Sequence, residues 1–179
     1  MFTSYALQLS QLLRIRIAFF EKAEDLNNNT AARGRPMLDG YLHTQAKQDI
    51  KRKLSVCFIL ADDQNNVKGH YTLSSATISR DILPDDLRKR LPPSYSDLPA
   101  TLLGRLAVDS NYQGQGLGEL LLTDALSRSL TVSGEVGSMV VIVDPIDAGA
   151  IDFYKKFGFI LLPDSGKMFL PMASVSELF

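Results

Sequence analysis

The stretch QGQGLG, residues 113–118, limits what this chain can fold into more than any other segment. It lies between LLGRLAVDSNY and ELLLTDALSRSL, so an apolar strand-like run enters it and a leucine-spaced helical run leaves it. Glycine loses more backbone freedom on ordering than any other residue and is a poor choice for opening a helix. A strand, a glycine-rich turn and a helix in that order present backbone N–H groups at the positive end of the helix dipole, a setting for phosphate or pyrophosphate. A Walker loop is excluded, because Glu119-Leu120 follows Gly118 where Lys-Ser/Thr is required. A dinucleotide fingerprint fits poorly as well, since it belongs to the first strand of a parallel unit and these glycines fall at mid-chain.

The flanking patterns place the turn within a mixed α/β chain. LSVCFILA (54–61) and VKGHYTLSSATI (67–78) read as strands joined by the short polar turn DDQNN, the pattern of an antiparallel hairpin. Ahead of them, Leu38, Tyr41, Leu42 and Ala46 recur at helical spacing, with Asp39 near the start and basic residues late. SRDILPDDLRKRLPPSYSDLPA (79–100) is proline-rich and reads as a loop with one short helix. TLLGRLAVD (101–109) is a third strand, and GSMVVIVD (137–144) is apolar on both faces, hence central. IDAGAIDFYKKFG (146–158) is a helix with Gly158 as its left-handed cap, and FILLP and KMFLPM supply closing strands. The fold class is α/β (α+β), with helices over a mixed sheet.

Composition narrows the function classes. A chain of 179 residues with 45% hydrophobic content buries one sizeable core. A net charge of −1 gives no global attraction to nucleic acid or membrane, so a polyanionic partner must be met by a local patch. The lone Cys57, inside SVCFIL, is expected to be an inert core thiol and excludes an internal disulfide. His43 and His70 are too few for a multi-histidine metal site, and no metal is expected. YALQLSQLLRIRIAFF is interrupted by Arg14 and Arg16, is too short to span a bilayer, and reads as an amphipathic helix or strand. A cytosolic protein without disulfides is the expectation.

GRLAVDSNYQGQGLGELLLTDAL resembles the acetyl-coenzyme A motif of the GNAT N-acetyltransferases, Q/R-x-x-G-x-G/A, matched by Gln113, Gly116 and Gly118. The resemblance implies the acyl-CoA N-acyltransferase fold, a mostly antiparallel twisted sheet flanked by helices. It implies that the backbone of Gln113, Gly114, Gln115, Gly116, Leu117 and Gly118 holds the coenzyme pyrophosphate. It further implies that Leu106, Ala107 and Val108 bond the pantetheine arm through main-chain groups. AIDFYKKFGF is similar to the family's later FY..GF helix, which makes Tyr154 the implied general acid. The longer match, from about Leu38 onward, resembles the GNAT toxins of type II toxin–antitoxin systems. Members of that group acetylate the α-amino group of aminoacyl-tRNA and are neutralised by a ribbon-helix-helix antitoxin; a homodimer is implied too. On this basis residues 1–36 form an atypical N-terminal segment and 37–179 the acetyltransferase domain.

Acetyl transfer from a thioester requires a neutral amine, a polarised carbonyl and a proton for the departing thiolate. An aminoacyl α-amine is weakly basic, so no strong side-chain base is needed. A tRNA acceptor requires positive surface. Candidates are Arg88, Lys89 and Arg90; Lys47, Lys51, Arg52 and Lys53; and Arg33 with Arg35. Arg105 interrupts an apolar strand and is expected to face the acceptor or a dimer partner. Two other readings stay open: a small-molecule or protein N-acetyltransferase, and a non-catalytic homologue that binds coenzyme or antitoxin.

Overall fold

The computed structural model describes residues 15–19, 40–42, 44–162 and 165–179. The expectations for Arg33, Arg35, Leu38, Asp39 and His43 fall outside them. The chain forms two compact units, each built from two stretches: Met1–Ser74 with Gly104–Ala125, and Ser75–Leu103 with Leu126–Phe179. Two long strands, β3 (Val67–Ser79) and β4 (Asp97–Val108), run through both, as does the helix α3 (Leu117–Ser133).

In the first unit the strand order is β1-β2-β3-β4, with β1 at Ile15–Phe19 and β2 at Val56–Asp62. β1 pairs antiparallel with β2 from Ile15↔Asp62 to Phe19↔Phe58, so the N-terminal run is a strand where it is described. β2 and β3 form the expected hairpin, with Val56↔Leu73 and Ile59↔His70 in register and a bulge at Leu60/Ala61. Its turn is fixed by Asp62, whose Oδ1 accepts from the Gln64 and Asn66 N–H groups at 3.0 and 2.9 Å. Asn65 takes the left-handed conformation, φ 63°, that asparagine tolerates best after glycine. The short helix α1 (Ala46–Lys51) continues the helical spacing expected from Tyr41, Leu42 and Ala46, and the run ends where Lys53 turns left-handed at φ 59°. Tyr41, Leu42, Ala46, Cys57 and Val67 form this unit's apolar cluster.

In the second unit the order is β3-β4-β5-β7-β6, with β5 at Val140–Val143, β6 at Ile160–Leu161 and β7 at Met168–Pro171. β5 is buried at every position, parallel to β4 (Ala100↔Val140) and antiparallel to β7 (Val141↔Leu170), as its two-sided apolarity required. The sheet is thus mixed and mostly antiparallel, with helices. The stretch 79–100 departs from expectation: beside the short helix α2 (Asp85–Arg88), residues 97–100 already belong to β4. Pro99 disguises this strand in the sequence, yet its carbonyl accepts from Met139 N–H at 2.8 Å. Ile78, Leu98, Val140, Ile142, Leu162 and Phe169 pack together as the core. α4 (Ala148–Lys156) follows β5, and α5 (Met172–Ser176), unread in the sequence, closes the chain.

Gly69 sets how closely three elements of the first unit approach. A Cβ there would lie 2.6 Å from the Ala107 carbonyl oxygen and 2.9 Å from Leu121 Cδ1. Gly69→Ala is therefore expected to lower unfolding stability by about 1–3 kcal/mol, since backbone of β4 must shift. Denaturant unfolding checks it; a midpoint equal to wild type contradicts the contact.

Candidate active site

The site grows from the end of β4. Asp109 is buried, its N–H donates to the Lys68 carbonyl at 2.8 Å, and its Oδ1 accepts from Asn111 N–H at 2.8 Å. That carboxylate opens a 3₁₀ turn at Ser110–Tyr112. Gln113 is extended, and its Nε2 reaches back to the Val108 carbonyl at 3.3 Å. Gly114 and Gly116 then take φ of +74° and +79°, which side chains with a Cβ rarely adopt. A Cβ at Gly114 would meet open space, so torsion and not packing demands glycine there. α3 begins at Leu117, with Leu120 N–H donating to the Gly116 carbonyl at 3.1 Å. By helix geometry the N–H groups ahead of Leu120 have no partner within the helix, and the dipole adds positive charge beside them. Leu117, Leu120 and Leu121 are buried and anchor this helix end. The arrangement can receive an anion on backbone amides.

In the same unit the Arg105 guanidinium lies over the Tyr41 ring, 3.9 Å from its centroid. Tyr41 shares a hydrogen bond with Ser55 Oγ at 3.2 Å. His70 stacks near Tyr41, with centroids 6.2 Å apart, and is fully buried with neither ring nitrogen hydrogen-bonded. Nothing in the spacing of these residues announces the grouping; it needs β3 beside β4 and the helical segment that carries Tyr41. Burial pushes the Cys57 thiol up to about 12, which agrees with an inert core position.

Burial, and then the Arg105 cation, bring the His70 imidazole down from 6.5 to about 4. Between those values the unfolded chain binds the proton and the folded chain does not, so stability falls as pH drops from 6.5 to 4. The loss from this one group is about 3 kcal/mol. His70→Leu is expected to flatten the unfolding free energy across that window by this amount. Parallel pH profiles for the two proteins contradict the assignment.

In the second unit Tyr154 is 8% exposed and sits where α4 ends. Asp147 caps the start of α4, accepting from Ala150 N–H at 2.8 Å. At the other end Gly158, φ +83°, donates to the Lys155 carbonyl at 3.0 Å, and Phe159 N–H donates to the Tyr154 carbonyl at 3.2 Å. This is a complete Schellman cap, and its customary apolar contact is Tyr154 against Phe159, ring centroids 5.2 Å apart. The FY..GF pattern is thus the means by which this helix end fixes Tyr154. Burial pushes its phenol up to about 12. Arg88 is paired with Asp85 at 2.5 Å within α2, while Lys89 and Arg90 are exposed. The structure thus gathers residues 106–118 and Arg105 in the first unit, and Tyr154 and 88–90 in the second. Among the described residues no group of His, Cys, Asp or Glu could hold a metal ion, and no helix is long and apolar enough to cross a membrane.

A strand, a left-handed glycine turn and a helix N-terminus in this order make a backbone anion site. Residues 54–161 match the acetyltransferase (GNAT) domain, and the chain belongs to the GNAT acetyltransferase family. It is 35% identical over 130 residues to the tRNA-acetylating toxin of Mycobacterium tuberculosis (strain ATCC 25618 / H37Rv), which covers 73% of this chain and 76% of that one. Among solved structures, AtaT complexed with acetyl-methionyl-tRNAfMet matches with TM-score 0.84 and 29% identity, covering 92% of this chain and 99% of that one. AtaTR bound with AcCoA matches at 0.80 and 29%, covering 93% and 98%. An AtaT tyrosine-to-phenylalanine variant bound to the C-terminus of the antitoxin AtaR matches at 0.77 and 26%, covering 93% and 98%.

Proposed function

We propose that this chain transfers acetyl from acetyl-coenzyme A to the α-amino group of aminoacyl-tRNA and blocks translation as the toxin of a toxin–antitoxin system. The observation that carries the donor half is the backbone cradle at Gly114 and Gly116. The acceptor half is supported by the likeness to the tRNA-acetylating toxin and to AtaT with its acetylated tRNA.

In this reading the N–H groups of residues 113–118 hold the pyrophosphate, and the main chain of Leu106, Ala107 and Val108 bonds the pantetheine arm. The Val108 N–H polarises the thioester carbonyl. The neutral amine attacks the carbonyl carbon, the C–S bond breaks, and the nitrogen passes its proton to water as the amide forms. Tyr154, protonated at neutral pH as any phenol is, donates its phenolic proton to the departing sulfur and regains one from water. Arg105 and the exposed Lys89 and Arg90, with Arg88, contact the tRNA. A ribbon-helix-helix antitoxin neutralises the protein, which works in the cytoplasm as a homodimer.

Labelled acetyl-coenzyme A incubated with charged tRNA, uncharged tRNA and free amino acids tests this. Label on charged tRNA alone is expected; label on free amines alone sinks the toxin reading. Tyr154→Phe is expected to lower kcat at least about a hundredfold with coenzyme affinity within about threefold of wild type. Unchanged kcat removes Tyr154 from the mechanism.

A further inference from the structure

Lys68, on β3, touches both ends of the segment that leads into the glycine turn. Its carbonyl accepts from Asp109 N–H at 2.8 Å, and its Nζ lies 3.8 Å from the centroid of the Tyr112 ring. The ammonium is itself tied to Asp62 Oδ2 at 2.9 Å, and the two side chains are only 12% and 20% exposed. Asp62 has little freedom, because the Gln64 and Asn66 N–H groups and Asn66 Nδ2 all donate to it. Residues 109–112 are therefore clamped from the hairpin at two points, and Gln113 starts the cradle at once. Such a restraint matters here because two left-handed glycines follow, and glycine-rich backbone is costly to order. A cradle ordered before the anion arrives spares that cost at binding.

We propose that Lys68 is a positioning residue: through its cation–π contact with Tyr112, braced by Asp62, it holds the turn in the conformation that receives the coenzyme pyrophosphate. This rests on the reading of residues 113–118 as the pyrophosphate site. Lys68 acts through Tyr112 and not by touching the coenzyme. A hairpin ion pair with a purely structural role would move the unfolding midpoint and leave coenzyme affinity alone.

The test is calorimetric titration of the full chain with acetyl-coenzyme A, alongside steady-state kinetics at saturating acceptor. Lys68→Met and Tyr112→Leu are each expected to raise Kd and KM for acetyl-coenzyme A about five- to tenfold, with kcat within twofold. The double variant is expected to bind no more weakly than either single one, since both remove one contact. Lys68→Arg and Tyr112→Phe, which keep the cation and the ring face, are expected to restore most of the affinity. Unchanged Kd in Lys68→Met overturns the proposal. So does a double variant whose losses multiply, the signature of a direct Lys68–coenzyme contact. Gly116→Val in the same titration separates this from the underlying reading. If Gly116→Val binds acetyl-coenzyme A like wild type, the pyrophosphate assignment falls and the proposal with it. If Gly116→Val loses binding and Lys68→Met keeps it, the assignment stands and the positioning role alone is refuted.

Discussion

Two torsions, φ of +74° at Gly114 and +79° at Gly116, end the approach from β4 and let α3 start at Leu117. A Cβ at either position would cost on the order of 1–2 kcal/mol before any ligand is considered. Much nearby structure serves to hold those torsions in place. Asp109 locks the preceding turn, Lys68 grips both ends of it, and Leu117, Leu120 and Leu121 seat the helix behind it. An anion site made of backbone amides asks little of side chains, so the proposed donor site would leave few polar residues in the sequence.

Glycine does three different jobs here. At Gly114 and Gly116 it supplies a left-handed conformation, and at Gly158 it ends α4 in the Schellman geometry that fixes Tyr154. At Gly69 it supplies absence: the space a Cβ would need is filled by the Ala107 carbonyl and Leu121. The two capped ends of α4, Asp147 at the start and Gly158 at the finish, make a rigid mount for a buried phenol with a high proton affinity. The proposed donor site depends on backbone conformation, whereas the proposed proton donor depends on a helix terminus.

The hairpin, the central β5 and the Gly158 cap were legible because each is a local pattern: alternation and a polar turn, a two-sided apolar run, a glycine after the last helical turn. The glycine turn was legible for the same reason. What escaped were relations set by strand register. Nothing near Gly69 in the chain marks the approach of Ala107, and Lys68 meets Tyr112 only because β3 lies beside the end of β4. Arg105 stood out as a charge in an apolar strand, but its seat on the Tyr41 ring depends on a helical segment more than sixty residues away in sequence. Pro99 hid the start of β4, because a proline-rich stretch reads as loop unless the pairing Ala100↔Val140 is known. The short β1 could be read as helix or strand until its partner β2 was seen.

The proposed donor chemistry depends on the amides of this turn receiving the pyrophosphate. It is tested most directly by following the glycine amide resonances of ¹⁵N-labelled protein as acetyl-coenzyme A is added, with ADP as a pyrophosphate-bearing fragment in parallel. The amides of Gly114, Gly116 and Gly118 are expected to shift with both ligands, ahead of glycines such as Gly134 and Gly166. Tight binding of acetyl-coenzyme A with those three resonances unmoved would contradict it.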